Sequence, residues 1–239
     1  MVPISAKTGK TTFAATAPAP RLLLDAEAGS RFLNIKPIEW NPARDEPPKP
    51  DGSWDTAKVI IRDYDDVLKA YQWLKSGKHP FNSAIIDSIS EVQQKLLEKL
   101  TNRMQAREQD WGDVFRQFSG LMRDFRDLTE HPVKPLTAVI AVSMSQQWLD
   151  GKYHPYAQGQ SKTLLPYLFD VIGAMHADSW EDEAGMHVIR RLLIGPNKIY
   201  ETGERVGGRL PGFLDNPNIP EILDAIFGPL PAEKPAKIA

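Results

Sequence analysis

The sequence contains no cysteine, no long apolar run and no large excess of charge of one sign. Without cysteine the chain has no disulfide, thiolate nucleophile or cysteine-based zinc site, and it fits a reducing cytoplasm. No apolar stretch reaches the ~20 residues of a membrane-spanning helix, so we expect no membrane association. The formal net charge of −2 excludes a uniformly basic nucleic-acid coat but leaves room for a local basic groove.

The length and composition are those of a globular protein. The chain has 239 residues, of which 41% are hydrophobic and 25% are charged, enough to bury a sizeable core. We predict one α/β domain over residues 1–228, with a Pro-, Asp- and Lys-rich insertion at 34–57 and a disordered tail at 229–239. A charged loop stands where a signal peptide would have its apolar stretch, so we expect no such peptide.

Residues 5–12, Ser-Ala-Lys-Thr-Gly-Lys-Thr-Thr, carry the chemistry of a phosphate-binding loop. In the full pattern, G-x-x-x-x-G-K-[ST], backbone N–H groups surround a triphosphate, the lysine contacts its outer phosphates and the hydroxyl binds Mg²⁺. Lys10 and Thr11 match those last two roles, whereas Ile4 stands where the first glycine belongs. We therefore predict an ATP and Mg²⁺ site followed by a helix over 10–16. The residues predicted to contact the nucleotide are Ala6, Lys7, Thr8, Gly9, Lys10, Thr11 and Thr12.

Two apolar runs end in carboxylates. Leu22–Leu24 precede Asp25 and Glu27, and a second run precedes Asp87. Short apolar runs are typical of buried parallel strands, and open α/β sheets bind ligands at the carboxyl ends of their strands. We predict that Asp87 holds the Mg²⁺ shell beside Thr11 and that Glu27 polarises the water that attacks the γ-phosphate. The alternative for Glu27 is a solvated strand end with no catalytic role.

The remaining pattern predicts a mostly parallel central sheet with helices on both faces and a late antiparallel extension. Two late strands, 169–176 and 186–194, are expected to form an antiparallel hairpin that extends the sheet, joined by an acidic turn at 178–183. Asp65 or Asp66 is expected to cap the first long helix. The other predicted elements are strands at 58–61, 81–88 and 136–144 and helices through 75, at 89–105, 111–129 and 219–227.

Two basic segments with aromatic residues are candidate binding surfaces for single-stranded DNA. The first is the tract 101–112 with Trp111, and the second is residues 148–162 of a predicted long polar loop, 148–165. Cations can bind the phosphates while aromatic rings stack on bases. The alternatives are an ordinary charged helix connection for the first and a surface loop for the second. The predicted DNA-binding residues are Arg103, Arg107, Lys152, Tyr153 and Lys162.

Two further residues are candidates for nucleotide sensing. Gln146 follows the strand at 136–144, where a polar side chain could sense the γ-phosphate and pass its state to the next loop. Arg205 lies in a glycine-rich basic loop with Arg209, and either could reach the phosphates of a neighbouring subunit as an arginine finger. The alternative is a turn with solvated arginines.

The order of these motifs resembles the core of RecA-like P-loop ATPases. The Asp-Ala-Glu at 25–27 and the Asp-Ser at 87–88 are similar to the segments that carry the catalytic base and the metal-binding Asp in that family. The Arg-Val-Gly-Gly-Arg-Leu-Pro at 205–211 and the Asn-Pro at 216–217 resemble the ending of phage-encoded members that act as single-strand annealing recombinases.

This resemblance implies a RecA-like P-loop NTPase core of AAA type. It implies DNA-stimulated ATP hydrolysis with Glu27 as the base, with the ATP held between subunits of a ring or filament. It also implies annealing or recombination of single-stranded DNA, in the host cytoplasm for a phage protein. A single-strand-binding protein is a further candidate partner.

Two other functions stay open. The incomplete phosphate loop favours a nucleotide-binding regulatory or assembly module with little ATP turnover. A helicase-like motor is the third candidate, which strand-displacement activity would reveal.

Overall fold

The computed structural model describes residues 7–182 and 185–228, and its centre is a five-stranded, fully parallel sheet. The strand order is β2-β3-β1-β4-β5. Strands β1 and β4 are adjacent and in register, so Asp25 lies opposite Asp87 at their carboxyl ends. The strands are β1 (Arg21–Asp25), β2 (Pro37–Glu39), β3 (Thr56–Ile60), β4 (Ser83–Asp87) and β5 (Ala138–Val142).

Helices cover both faces of this sheet. Successive side chains of a strand point to opposite faces, so Leu22 and Leu24 of β1 pack into the larger core cluster while Leu23 packs into the smaller one. The second, third and fourth helices supply the larger cluster, and the first and last supply the smaller one. The helices are α1 (Lys10–Ala14), α2 (Tyr64–Lys75), α3 (Ile89–Thr101), α4 (Glu108–Asp127), α5 (Ser161–Leu164) and α6 (Ile219–Phe227).

The later strands form three small antiparallel sheets. The predicted late hairpin is present as β9 paired with β10, with β12 on the other side of β10. Within residues 7–182 and 185–228 this hairpin forms its own sheet and is not hydrogen-bonded to the central one. The strands are β6 (Ser145–Gln147), β7 (Tyr153–Pro155), β8 (Val171–Ile172), β9 (Ala174–Asp182), β10 (Gly185–Leu193), β11 (Gly203–Glu204) and β12 (Phe213–Asp215).

The predicted acidic turn at 178–183 is wrong over residues 178–182, and residue 183 lies outside the described residues. Residues 178–182 belong to β9, and Asp178 is paired with Ile189 across the hairpin. Both faces of this hairpin carry residues that are at least partly exposed, so charged side chains are accommodated in the strand. The physical reason for the error is that acidic residues are depleted from strands on average, whereas an open hairpin tolerates them.

The cap of α2 also differs from the prediction. Asp63, rather than Asp65 or Asp66, is the N-cap, and its carboxylate accepts from the N–H of Asp66 at 3.1 Å. The carboxylate of Asp66 in turn accepts from the N–H of Asp63 at 3.3 Å. This reciprocal pair is a capping box, so Asp66 stabilises the helix from its third position.

Other boundaries shift because polar residues take part in regular structure. The third helix ends at Thr101, where Asn102 adopts a left-handed conformation, and α4 begins at Glu108. The predicted insertion 34–57 contains β2 and the start of β3, and the polar stretch after Trp148 contains β7. No helix among the described residues is long and apolar enough to cross a bilayer. The predicted tail at 229–239 lies outside the described residues.

Candidate functional site

The phosphate loop leads directly into α1. Gly9 is the N-cap of this helix with φ +93°, in the left-handed region that favours glycine, and its carbonyl accepts from the N–H of Phe13 at 2.8 Å. Thr8 is buried, while Lys10 and Thr11 are partly exposed. Neither Lys7 nor Lys10 forms an ion pair within residues 7–182 and 185–228, so both are available to an anion. Ala6 lies outside the described residues.

Strand alternation brings two carboxylates to the same face as α1. Leu23 of β1 and Ile85 of β4 belong to the core cluster that contains α1. Asp25 and Asp87 follow two residues later, so their side chains point to that face as well. Both are buried, with 5% and 3% of their surface exposed. The sheet therefore places two buried carboxylates at the edge where α1 begins.

Asp87 lies at the electrostatic centre of this edge. Burial, together with the negative charges of Glu27 and Asp25, raises the pKa of its carboxyl from 3.8 to about 6. A hydrogen bond from Thr11 and the positive charge of Lys10 act in the opposite direction on the same pKa. The structure thus brings Lys10, Thr11, Glu27 and Asp87 into one electrostatic environment.

Asp25 has one oxygen without a partner. Its Oδ2 accepts from the hydroxyl of Ser30 at 2.5 Å, whereas its Oδ1 is buried and has no hydrogen-bond partner among the described residues. No role for Asp25 was predicted from the sequence. A buried, unpartnered carboxylate oxygen is costly, and a cation or an ordered water would satisfy it.

Glu27 lies just beyond the end of β1 and is exposed. Its carboxylate accepts a hydrogen bond from the hydroxyl of Ser88, which directly follows Asp87. The backbones of the two strand ends are also hydrogen-bonded here, since the N–H of Ala26 donates to the carbonyl of Asp87 at 2.7 Å. Ser88 is also the N-cap of α3, where its hydroxyl accepts from the N–H of Glu91 at 3.4 Å.

These residues fit a Mg²⁺ ion held beside a phosphate. No three His, Asp or Glu side chains among the described residues enclose a metal ion by themselves. Mg²⁺ keeps several waters and is commonly held by one or two carboxylates together with substrate phosphates. Asp87, the Thr11 hydroxyl and the free oxygen of Asp25 are oxygen donors of this kind.

Gln146 and Arg205 are not joined to this site by a hydrogen bond or an ion pair within the described part of the chain. Gln146 is exposed on β6 and lies opposite His154 across a small hairpin. Arg205 pairs with Asp170 at 2.7 Å and lies beside the short β11–β8 sheet. Arg205 is therefore engaged within its own subunit.

The two predicted DNA-binding segments lie next to each other. The amide of Gln93 on α3 donates to the carbonyl of Gln158 at 3.1 Å, and Trp111 on α4 packs against Gly159. The second segment is ordered by His154, which is buried and hydrogen-bonded to Glu201 at 2.6 Å and to Asp150 at 2.9 Å.

The five predicted DNA-binding residues differ in what they contact. Arg103 and Arg107 form ion pairs with Glu98 at 3.7 Å and Asp110 at 3.2 Å, and both side chains are largely exposed. The ammonium of Lys162 lies 4.9 Å from the centre of the Trp148 ring, and Tyr153 packs against Tyr200. Lys152 is partly exposed and forms no ion pair among the described residues. Exposed cations therefore occur in both segments.

Arg190 is a residue near the loop that the sequence did not predict. This residue lies on β10, and a Cβ atom built on Gly9 would meet its Cδ and Nε at 2.6 Å. Nothing in the spacing of the sequence connects positions 9 and 190, because the contact depends on where the separate hairpin packs.

Comparison with known proteins agrees with the α/β fold and the phosphate loop. A family model described as an AAA domain matches residues 5–207. A comparison with curated proteins finds no match.

Proposed function

Since the chain belongs to the AAA domain family, we propose that its phosphate loop binds ATP with Mg²⁺ and that the bound ATP is hydrolysed. The observation that carries this proposal is the environment of Asp87. Lys10 and Thr11 of the phosphate loop and Glu27 after β1 come from two separate segments of the chain, and all three act on the pKa of this one buried carboxyl on a third, β4. A phosphate loop and two strand ends that converge in this way are the parts that phosphoryl transfer requires.

Each residue has a role that suits its position. Lys10 would bind the outer phosphates, and the hydroxyl of Thr11 with the carboxylate of Asp87 would hold Mg²⁺. When bound, Mg²⁺ neutralises the charge that develops on the phosphate oxygens. A cation beside Asp87 also favours its ionised form and so lowers the raised pKa of this carboxyl.

Glu27 would orient and deprotonate the attacking water. It is exposed at the end of β1 and is hydrogen-bonded to Ser88, so its carboxylate is positioned from the side of α3. The acceleration would come from positioning and from charge stabilisation, as is general in phosphoryl transfer.

We further propose that single-stranded DNA binds across the neighbouring segments 101–112 and 148–162 and that the protein promotes annealing or recombination. Arg103, Arg107, Lys152 and Lys162 supply cations, and Tyr153 and Trp148 supply rings next to them. Stacking on aromatic rings together with phosphate contacts binds single strands without strict sequence preference. This proposal includes assembly into a ring or filament in which Arg205 would have to leave Asp170 to act on a neighbouring subunit.

A regulatory or assembly module with little turnover is the second candidate. The observation that favours it is the incomplete phosphate loop, in which Ile4 replaces the first glycine of the pattern. Such a protein would bind nucleotide and change its affinity for a partner without appreciable hydrolysis.

Measurement of ATP hydrolysis with and without single-stranded DNA tests these proposals. We expect DNA-stimulated turnover in the parent protein and its loss in Lys10→Ala and Glu27→Gln. Glu91→Gln is the matched control, since Glu91 lies in the first turn of α3 and is not part of the Asp87 environment. Absence of turnover in the parent, together with nucleotide-dependent partner binding, would favour the regulatory module.

A further inference from the structure

Arg190 lies beside Gly9 of the phosphate loop, although the two residues are far apart in the sequence. Its Cδ and Nε occupy the space beside Gly9 that a larger residue at that position would fill. Its backbone is fixed on the other side by Asn216: the N–H of Arg190 donates to the Asn216 side chain at 3.2 Å, and the N–H of Asn216 donates to the Arg190 carbonyl at 2.6 Å. The hydrogen bonds to Asn216 therefore fix the backbone of β10 at the position from which the Arg190 side chain contacts the loop.

The guanidinium of Arg190 is available, whereas that of its neighbour is not. Arg191 pairs with Asp215 at 2.6 Å and lies 4.5 Å from the centre of the Phe213 ring. Arg190 is exposed and has no carboxylate or carbonyl acceptor within the part of the chain that the structure describes. Two adjacent arginines of one strand thus differ: one stabilises the hairpin, and the other brings an unpaired cation to the phosphate loop.

Arg190 borders the loop at Gly9 and Thr12. A cavity of about 160 Å³ lies between the hairpin and α1, and it is bordered by Gly9, Thr12, Thr16, Arg190 and Asn216 among others. Thr12 lies in α1, and Thr16 follows just after the end of that helix. Lys10 and Thr11 act instead on Asp87. An anion on the loop would therefore lie near two cations, Arg190 beside Gly9 and Lys10 beside Asp87.

The negative charges near the loop would be balanced better by a second cation beside Lys10. Asp25, Glu27 and Asp87 lie at the carboxyl edge of the sheet, and Lys10 is the cation that acts on Asp87 there. A nucleoside triphosphate adds several negative charges to the same region. Arginine can donate two parallel hydrogen bonds to phosphate oxygens. These charge-assisted hydrogen bonds are stronger than bonds between neutral groups.

We propose that Arg190 is a nucleotide-binding residue of the same subunit, whose guanidinium contacts the inner phosphates of ATP or ADP on the Gly9–Thr12 side of the loop. This inference rests on the proposed function. Lys10 and Thr11 hold the outer phosphates and the metal in that proposal, so the inner phosphates remain for Arg190. Binding of either nucleotide would then fasten the β9–β10 hairpin to the loop.

Fluorescence titration with N-methylanthraniloyl ATP and ADP tests the inference without requiring turnover. Arg190→Met keeps the aliphatic chain against Gly9 but removes the charge. We expect its affinity for both nucleotides to fall about ten- to hundred-fold, the range for loss of a charged hydrogen bond. Arg190→Lys should recover part of the loss, and Arg191→Met, the matched control, should bind as the parent does. Thermal unfolding establishes that each variant is folded, and Arg190→Gln is the second neutral variant.

The outcomes separate this inference from the proposed function. Unchanged affinity in Arg190→Met and Arg190→Gln, with weaker ATP binding in Lys10→Ala, would overturn the role of Arg190 and leave the phosphate site standing. Equal losses in Arg190→Met and Arg191→Met would also overturn it, because the effect would then come from the hairpin as a whole. A parent protein that binds neither nucleotide would overturn both.

Discussion

The hydroxyl of Ser88 donates a hydrogen bond to the carboxylate of Glu27, and this contact joins the ends of β4 and β1. Ser88 also caps α3, so the same side chain connects a helix N-terminus to the proposed catalytic carboxylate. Because β1 and β4 are paired in register up to Asp25 and Asp87, the two strand ends are held at one level. The position of Glu27 thus depends on both strands.

We expect Glu27→Gln to abolish most ATP turnover while leaving ATP binding nearly unchanged. The amide keeps the size of the side chain and its contact with Ser88, but it cannot accept a proton from water. Loss of a general base typically costs a factor of about 10² to 10⁴ in rate. Single-turnover hydrolysis and nucleotide titration measure the two quantities separately. Turnover at the parent rate would remove Glu27 from the mechanism.

Ser88→Ala should lower the free energy of unfolding by about 1 kcal/mol, since it removes the N-cap of α3. Asn218→Ala is the matched control, because Asn218 caps α6 by accepting from the N–H of Glu221 at 2.9 Å and does not contact Glu27. Urea unfolding gives both values. We expect similar losses of stability in the two variants but a change in turnover in Ser88→Ala alone; equal turnover in both would argue against a positioning role for Ser88.

Asp87→Asn should stabilise the nucleotide-free protein, and the gain should depend on pH. The folded protein holds the proton of Asp87 up to about pH 6, because burial raises the pKa of this carboxyl, whereas the unfolded chain releases it near pH 4. Between these values the folded state binds more protons, so the free energy of unfolding decreases as pH rises and levels off above about pH 6. Asparagine removes this penalty, which amounts to about 2–3 kcal/mol at pH 7.5.

Urea unfolding of Asp87→Asn at several pH values from 4 to 7.5, without nucleotide or Mg²⁺, tests this expectation. The gain should shrink toward zero near pH 4. Asp110→Asn is a control of opposite sign, because hydrogen bonds from Arg107 lower the pKa of Asp110 and so make its ionised form stabilising above pH 4. A gain for Asp87→Asn that is independent of pH would show that its carboxyl does not titrate in this window.

Lys162→Ala should weaken binding of single-stranded DNA several-fold for all sequences and reduce the slope of log affinity against log salt by about 0.7, the value for one phosphate contact on a single strand. Lys75→Ala is the control, since Lys75 also lies over an aromatic ring, Tyr71, but is on α2. Fluorescence anisotropy with labelled oligothymidine at several salt concentrations measures both. An unchanged salt slope in Lys162→Ala would exclude a phosphate contact at this position.

The parallel core could be predicted because buried strands have a recognisable pattern of apolar residues in the sequence. A strand buried on both faces must be apolar along its length, and its first polar residue marks the carboxyl edge, as Asp25 and Asp87 do. The fold class predicted from these runs is confirmed. The family match supports the ATPase part of the prediction, whereas the recombinase subgroup stays a prediction.

The outer parts were harder to predict because their residues are constrained less. The acidic strand β9 follows no burial pattern, and the choice of Asp63 over Asp65 as cap depends on backbone geometry that several nearby acidic residues could supply. The contact between Gly9 and Arg190 depends on how a separate sheet packs against α1, which local sequence does not encode.

The contact between Gly9 and Arg190 suggests how nucleotide binding at the loop could be followed by fluorescence. A side chain at position 9 would both strain the backbone at φ +93° and push Arg190 away, so only glycine lets the loop and Arg190 touch. Motion of the β9–β10 hairpin would therefore change when a nucleotide binds the loop. A fluorescent probe at exposed Met186, on the same strand as Arg190, would turn occupancy of the loop into an optical signal.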